Sequence, residues 1–286
     1  MENEIELKII LWKENIPLIK TWISQQTILS QETEILGNTY YDSPSLYFAK
    51  NKMGLRVRNK NQQFELTLKT KGEIVGGLHI RPEYNLPLEN EKPDFKRLVS
   101  HFNLQIAQAE QLQNELQATF STDFTREKWL VAFNDAKIEV ALDQGIIKNP
   151  FGEETICELE FELKEGSLET LFQFLDELPK QDGMWLSSLS KAQRGYLVGQ
   201  PEKIAKEIAK LTACNIDNLS VTEQYQVEQQ LADFIRLDRQ NNTLIQQYKN
   251  RNNTLVNKDV LTHLQSKAYL IDNLSILRNS RQHLES

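Results

Sequence analysis

The sequence has few cysteines and no long apolar run. Two cysteines, Cys157 and Cys214, are present among 286 residues, and they are too few and too scattered for a disulfide framework or a zinc site. A reducing compartment is therefore expected. No apolar run approaches the roughly 20 residues that a membrane-spanning helix needs, and the acidic N-terminus differs from a secretory signal peptide. We expect a cytoplasmic protein with no membrane partner.

The chain also lacks the positive charge of a general nucleic-acid binder. Its formal net charge is -7 and its pI is about 5.3, which disfavours affinity for a phosphate backbone. A local basic site remains compatible with this balance, because the charges can be segregated. A hydrophobic content of 40% supports a packed core, and the length fits one sizeable domain plus a smaller one. Nucleic acid is not an expected partner.

Glycine and proline disappear from the chain near residue 200. After Pro201 the sequence contains neither residue, Gln and Asn become frequent, and basic and acidic residues nearly balance. Apolar residues recur there at spacings of three and four, which is typical of amphipathic helices. We therefore predict two domains, one over residues 1–200 that carries the acidic excess and a helical C-terminal segment over residues 201–286.

The first 200 residues contain alternating charged and apolar residues. Glu4, Glu6 and Lys8 share one face of a strand, and residues 158–164 repeat the same pattern. A solvated sheet face explains either run alone. Further runs at residues 56–58, 79–83 and 137–143 also carry charges on one face, which favours a shared polar interior. We predict an α+β fold with an eight-stranded antiparallel β-barrel, or tunnel, and flanking helices, because closure removes unpaired strand edges.

Local signals place several elements of this fold. Residues 53–58 and 64–71 predict a hairpin around a polar turn. Residues 12–26 predict a helix, because Ile16, Ile19 and Ile23 recur at helical spacing. Residues 119–143 divide into three β-segments, at 119–126, 128–134 and 136–143.

Nine short motifs in order make residues 1–200 resemble the CYTH superfamily, also called triphosphate tunnel metalloenzymes, and especially its bacterial inorganic triphosphatase branch. The resemblance implies an eight-stranded tunnel that binds a small-molecule triphosphate and hydrolyses inorganic tripolyphosphate with Mg²⁺ or Mn²⁺. The motifs are Glu4-Ile-Glu6-Leu-Lys8, Tyr40-Tyr41-Asp42-Ser, Leu55-Arg56-Val-Arg58, Leu68-Lys69, Arg81-Pro-Glu83, Phe124-Thr-Arg126, Glu139-Val-Ala-Leu-Asp143-Gln-Gly145, Glu158-Leu-Glu160-Phe-Glu162 and Ser190-Lys191-Ala-Gln-Arg194-Gly195-Tyr196.

The resemblance also implies roles for individual residues. Arg and Lys side chains are natural partners of a triphosphate, and the implied catalytic and substrate-binding bases are Lys8, Arg56, Arg58, Lys69, Arg81, Arg126 and Lys191, with Arg194 as a further substrate ligand. Carboxylates suit hard cations such as magnesium, and the implied metal ligands are Glu4, Glu6, Asp143, Glu158 and Glu160. Glu139 is assigned as catalytic, and Glu162 is a further candidate. No Cys, Ser or His forms a nucleophile constellation, so we expect direct attack by water.

Several alternatives remain open. The same fold fits a class IV-type adenylate cyclase, a thiamine triphosphatase or a non-catalytic module that binds polyphosphate or nucleotide. A pure binder needs only the bases, so the acidic set argues against the last alternative. In bacterial relatives a histidine-rich CHAD domain follows the tunnel, and we interpret residues 201–286 as a truncated or diverged counterpart. Packing against the tunnel or self-association is its expected role.

Overall fold

The computed structural model describes residues 3–214, 218–251 and 259–282, which form a β-barrel with flanking and C-terminal helices. The strands are β1 (Asn3–Leu11), β2 (Thr27–Asp42), β3 (Gly54–Lys60), β4 (Gln63–Lys69), β5 (Glu73–Val75), β6 (Leu78–Leu88), β7 (Gln117–Phe133), β8 (Ala136–Asn149), β9 (Gly152–Glu165) and β10 (Met184–Leu186). A 3-10 helix spans Lys13–Asn15. The helices that follow it are α1 (Ile16–Ile23), α2 (Tyr47–Lys50), α3 (Phe95–His101), α4 (Ala109–Glu115), α5 (Leu168–Glu177) and α6 (Lys191–Leu197). The C-terminal helices are α7 (Pro201–Thr212), α8 (Val221–Leu237), α9 (Asn242–Arg251), α10 (Val260–Leu264) and α11 (Lys267–Gln282).

Eight antiparallel strands of the described chain close into the barrel. Their order is β1-β9-β8-β7-β2-β3-β4-β6, and β6 pairs again with β1. The short strands β5 and β10 extend β6 and β1. Closure sets Glu4 opposite Arg81 and Lys8 opposite Glu160. The predicted eight-stranded barrel with flanking helices is therefore confirmed.

Local elements differ from the sequence prediction in extent, and β8 runs to Asn149 instead of ending at residue 143. Residues 117–133 form the single strand β7 rather than two β-segments, because the charged residues around position 127 continue the alternation instead of turning the chain. The helix predicted over residues 12–26 is shorter, with a 3-10 turn before α1. The predicted hairpin is present, and its two turn residues, Asn61 and Gln62, both have positive φ angles, as two-residue hairpin turns of the common type require.

The outward faces of the strands are apolar, and helices cover much of them. One cluster joins Leu7 and Ile9 of β1 and Phe161 of β9 to Ile19 of α1 and Phe174 of α5. A second cluster packs the outward residues of β3, β4 and β6 against α2, α3 and α4. Burial of these outward faces supplies the hydrophobic stabilisation of the barrel, and the charged faces consequently point into its interior.

One end of the barrel interior is filled by α6. Tyr40, Phe120 and Phe124 face inward and pack with the helix. Gly195 lies directly on the Phe120 ring, where an added Cβ would approach a ring carbon to 2.2 Å. Only glycine fits at this contact, so α6 is held deep in the barrel with its first residue, Lys191, against the polar interior.

The C-terminal helices pack on the outside of the barrel. They share an apolar cluster of their own, while Tyr225, Leu270, Leu274 and Leu277 join the cluster beneath β1 and β9. The backbone N–H of Gly76 donates to Gln226 Oε1 at 2.7 Å. The segment is helical as predicted, and its status as a separate domain stays a prediction. None of the described helices is long and apolar enough to span a membrane.

Candidate active site

The barrel interior is a polar cavity of about 1240 Å³. Each barrel strand directs every second side chain into it, which explains why charges spaced by two in the sequence meet there. Most of the predicted site residues line it. They are Glu4, Glu6, Lys8, Arg56, Arg58, Lys69, Arg81, Arg126, Glu139, Glu160 and Lys191.

Three carboxylates form a cluster beside α6. Asp143 of β8 lies opposite Glu158 of β9 in the strand register, and these residues, together with Glu160, each offer one oxygen within 4.8 Å of the others. The Lys191 ammonium contacts all three, at 2.6 Å from Asp143 and 2.9 Å from Glu160. The first residue of α6 therefore bridges the acidic groups of two strands.

Arg126 and Lys8 also form ion pairs with this cluster. Arg126 donates from Nε and Nη2 to the two oxygens of Asp143, both at 2.7 Å, and Nη2 also reaches Glu160. Lys8 contacts Glu160 and lies 2.9 Å from Glu6. Burial by itself raises the pKa of the Glu160 carboxyl, but Lys191, Lys8 and Arg126 together hold it well below its usual range.

A second group of charges surrounds Lys69. Its ammonium contacts Glu4 and lies 2.7 Å from Glu83 and 3.9 Å from Glu6. Burial and the neighbouring Glu6 raise the pKa of Glu4 to about 7, against the opposing effect of Lys69. The pKa of Glu6 is instead lowered, because Lys8 and Lys69 together outweigh the effect of burial. Two adjacent carboxylates of one strand thus have different affinities for a proton.

The opposite wall carries arginines whose hydrogen-bond partners are neutral. Arg58 Nε donates to Asn38 Oδ1 at 3.1 Å, and Arg56 Nη1 donates to the Tyr40 hydroxyl at 3.5 Å. Burial and then the positive charges of Arg56 and Arg126 lower the pKa of Arg58 to about 10. The positive charges of Arg56 and Arg126 lie close to Arg58, so an anion that enters the cavity is favoured here.

The carboxylate cluster suits a divalent metal ion. Its donors are hard oxygens from three side chains that are almost fully buried, the ligand type that Mg²⁺ and Mn²⁺ prefer. Glu4 and Glu6 add further carboxylates on the neighbouring strand β1.

Three of the predicted site residues lie behind the cavity surface. Asp143 and Glu158 are 0% and 1% exposed, and their carboxylates are in contact with Arg126, Lys191 and Arg194. Arg194 lines a separate cavity of about 600 Å³ on the side of the C-terminal helices. Its guanidinium contacts Glu158 and, at 3.2 Å, Glu154. Arg194 therefore touches the carboxylate cluster from the side away from the tunnel.

The structure adds tunnel residues that sequence reasoning missed. Glu34, Lys60 and Lys128 line the cavity, and both lysines lie 2.7 Å from Glu34. Burial raises the pKa of Glu34, but hydrogen bonds from the two lysines outweigh it and bring the value to about 2. Period-two spacing could have found all three, since each continues a row of inward residues. The same spacing turns Tyr40 inward, while Tyr41 packs in the cluster outside β3 and β4.

Comparison with known proteins agrees with this architecture. The family model of the CYTH domain matches residues 2–196. An inorganic triphosphatase from Haemophilus influenzae is 47% identical over 204 residues, which are 71% of this chain and 56% of the relative. The chain thus spans about half the length of that relative.

Solved structures with similar folds share less sequence. A putative adenylyl cyclase from Hippeastrum, described with a dominant triphosphatase activity, has a TM-score of 0.47 and 18% identity, over 70% of this chain and 96% of its own. A putative adenylate cyclase from Bacillus halodurans has a TM-score of 0.42 and 20% identity, over 62% and 91% of the two chains. The match of the family model over residues 2–196 shows that the chain belongs to the CYTH domain family.

Proposed function

We propose that this protein hydrolyses inorganic triphosphate to pyrophosphate and phosphate in a metal-dependent reaction inside the barrel. The observation that carries the proposal is the wall of Arg56 and Arg58, whose positive charges face neutral partners across a cavity that also holds buried carboxylates. Guanidinium groups that are not paired directly with a carboxylate are available to bind an anion that enters the cavity. The relative named inorganic triphosphatase supports the choice of substrate.

The basic residues of the tunnel are proposed to bind the phosphoryl groups. A guanidinium fork matches two phosphate oxygens, and an ammonium acts as a point charge. Because the site is partly dehydrated, each contact is stronger than it is in water. The proposed substrate ligands are Lys8, Arg56, Arg58, Lys69, Arg81, Arg126 and Lys191, whereas Arg194, predicted as a further ligand, does not line the tunnel. Arg194 acts in this scheme from behind, through Glu158.

The acidic residues are proposed to hold the cofactor. The proposed ligands of Mg²⁺ or Mn²⁺ are Glu4, Glu6, Asp143, Glu158 and Glu160. When bound, such an ion polarises phosphoryl oxygens and promotes deprotonation of water. Glu139, on the tunnel wall, is proposed as a further catalytic residue.

Hydrolysis then requires the side chains to exchange partners. Lys8, Lys191 and Arg126 contact carboxylates in the present structure, and they turn toward phosphate oxygens when substrate enters. The water oxygen forms a bond to a terminal phosphorus, the bridging P–O bond breaks, and pyrophosphate leaves with the bonding electrons. The water proton passes to solvent or to a carboxylate. Positioned cations stabilise the charge that spreads over the phosphoryl oxygens.

A substrate and metal panel tests the proposal. Phosphate release is measured from tripolyphosphate, ATP and thiamine triphosphate with Mg²⁺, with Mn²⁺ and with EDTA, and cyclic AMP is measured by mass spectrometry. We expect tripolyphosphate to be the preferred substrate, with loss of turnover in EDTA. The Glu6→Gln variant, which removes one proposed ligand, is expected to lose activity by at least about 100-fold, because a neutral amide replaces an anionic ligand.

Each alternative function predicts a different result in the same panel. Cyclic AMP as the main product from ATP would identify an adenylate cyclase, and preferential cleavage of thiamine triphosphate would identify a thiamine triphosphatase. Tight tripolyphosphate binding by calorimetry without turnover in either metal would identify a binding module. Any of these results overturns the proposal.

A further inference from the structure

Asp233 of α8 contacts the loop that immediately precedes α6. Its Oδ2 atom accepts hydrogen bonds from the backbone N–H of Ser188 at 2.8 Å and from the Ser188 hydroxyl at 2.7 Å. Asp233 and Ser188 are 4% and 1% exposed. A buried carboxylate that accepts two hydrogen bonds from one residue holds that residue in place, since either donor would lose its partner if the loop moved.

Asp233 is itself fixed within the C-terminal helices. Its Oδ1 atom accepts from Arg236 Nη1 at 2.8 Å, and Arg236 Nη2 donates to the Leu264 carbonyl at 2.7 Å. The Arg236 guanidinium lies over the Trp185 and Tyr269 rings, 5.3 and 5.7 Å from their centres. The carboxylate therefore belongs to a rigid network that spans α8, α10, α11 and β10.

The barrel holds the same loop from the other side. The backbone N–H of Ser187 donates to the Lys8 carbonyl at 3.1 Å. His79 Nε2 donates to the Ser187 carbonyl at 3.2 Å. Residues 187–190 are thus clamped between the first tunnel strand and α8. Two residues beyond Ser188, Ser190 caps α6 through a capping box with Gln193.

The helix that this loop positions contacts the carboxylate cluster. Lys191 and Arg194, the bases of α6, contact Glu158 from two sides. We propose that Asp233 is a positioning residue for the tunnel, and that the C-terminal helices set the geometry of Lys191 and Arg194 through the Ser187–Ser190 loop. The kinetic part of this inference rests on the proposed triphosphatase activity. The C-terminal helices then have a role in the reaction in addition to packing against the barrel.

Two measurements on the full chain test the inference. Asp233→Ala is expected to lower kcat for tripolyphosphate about tenfold while KM changes by less than about threefold. Misplaced groups stabilise the transition state less well, whereas the total charge that attracts the substrate stays the same. Hydrogen exchange is expected to accelerate over residues 188–197. The matched control is Arg281→Gln, which removes another buried charge of the C-terminal helices that contacts the barrel, at Glu73 instead of the loop. This control is expected to keep the wild-type kcat.

The outcomes separate this inference from the proposed function. Wild-type exchange rates over residues 188–197 in Asp233→Ala overturn the inference, as does faster exchange with an unchanged kcat. If the wild-type protein hydrolyses no triphosphate, the proposed function fails, and the exchange comparison together with the affinity for tripolyphosphate decides the inference. If Asp233→Ala does not fold, Ser188→Ala and Asp233→Asn, which keep part of the contact, are expected to show the same changes at smaller size. Wild-type behaviour of both variants would overturn the inference.

Discussion

At the scale of single residues, the tunnel combines paired and crowded charges. Glu160 has three cationic partners, whereas Arg58 has an amide partner and two cationic neighbours. Paired charges compensate each other's desolvation, while crowded like charges oppose folding. Substitutions at the two kinds of residue are therefore expected to have opposite effects on stability.

Arg58→Gln is expected to stabilise the protein and weaken its function. The pKa of Arg58 is lowered in the folded state, so its charge disfavours folding at neutral pH. Removing the charge is expected to raise the free energy of unfolding by about 1–2 kcal/mol and to raise KM for tripolyphosphate about tenfold. Chemical denaturation and steady-state kinetics measure the two effects. A destabilised variant with an unchanged KM would contradict the expectation.

Glu34→Gln is expected to have a pH-dependent effect on stability. The folded-state pKa of Glu34 is about 2, below its ordinary value of 4.5, because Lys128 and Lys60 outweigh burial. The contribution of this carboxylate is fully present above pH 4.5 and is lost as pH falls toward 2. We expect the variant to be less stable than wild type by about 1 kcal/mol at pH 7, a modest value because the lysines are partly exposed and screened by salt.

Urea denaturation at pH 7 and pH 3 checks the Glu34 prediction. The difference between variant and wild type should shrink at pH 3 and also in high salt at pH 7. Glu32→Gln is a suitable control, because Glu32 contacts the same lysines from a more exposed position. A difference that stays constant with pH would show that the ion pairs of Glu34 do not stabilise the fold.

At the scale of elements, α6 shows how a short helix can carry charged groups into a barrel. It has seven residues and is too short to be stable alone. Its capping box, its glycine contact with Phe120 and the loop before it fix its position. The position of Lys191 therefore depends largely on contacts of the helix with the barrel and with the preceding loop.

Two capping boxes in the described part of the chain offer a matched comparison. Ser190 caps α6 and Ser220 caps α8 with the same pair of hydrogen bonds. Alanine at either position is expected to cost about 1 kcal/mol. Only Ser190→Ala is expected to lower the proposed triphosphatase activity, by about tenfold, because Lys191 follows this cap directly. Thermal unfolding measures the stability of the two variants, and initial rates measure their activity. Equal activities of the two variants would contradict the expectation.

At the scale of the whole molecule, the helices beyond residue 200 share a core with the barrel. Leu277 of α11 is fully buried in the cluster that contains Leu7 and Phe161. Ion pairs such as Arg281 with Glu73, at 2.9 Å, cross the same boundary. An apolar cluster therefore crosses the predicted boundary at residue 200, and the division into two domains stays a prediction.

Leu277→Ala is expected to destabilise both parts of the chain together. Truncation of a buried leucine costs about 2–5 kcal/mol, and a shared core transmits that loss to the barrel. Circular dichroism at wavelengths for helix and strand, with tryptophan fluorescence, should give coincident unfolding transitions. A barrel that unfolds at the wild-type temperature after the helices have melted would show two independent domains. Light scattering in the same experiment tests the predicted self-association.

Much of the tunnel could be predicted from the chain alone. The alternation around Glu4, Glu6 and Lys8 determines that these side chains share a face, because successive residues of a strand point to opposite sides. Apolar residues on the other face require cover by helices. Periodicity thus predicts a polar face, whereas most of the lining residues were assigned from the resemblance to the CYTH superfamily. The missed Glu34, Lys60 and Lys128 obey the same periodicity.

The tertiary structure alone decided which charges become partners. The alternation along a strand determines which face of the sheet a side chain occupies. Strand register and barrel closure determine the distances between side chains on that face, so Lys191 contacts three carboxylates while Arg58 contacts an amide. The same holds for Arg194, which touches Glu158 from outside the tunnel, and for Asp233, which meets Ser188 although the two are 45 residues apart. Such contacts depend on how whole elements pack, and the packing of one element on another leaves no local periodic signal in the sequence.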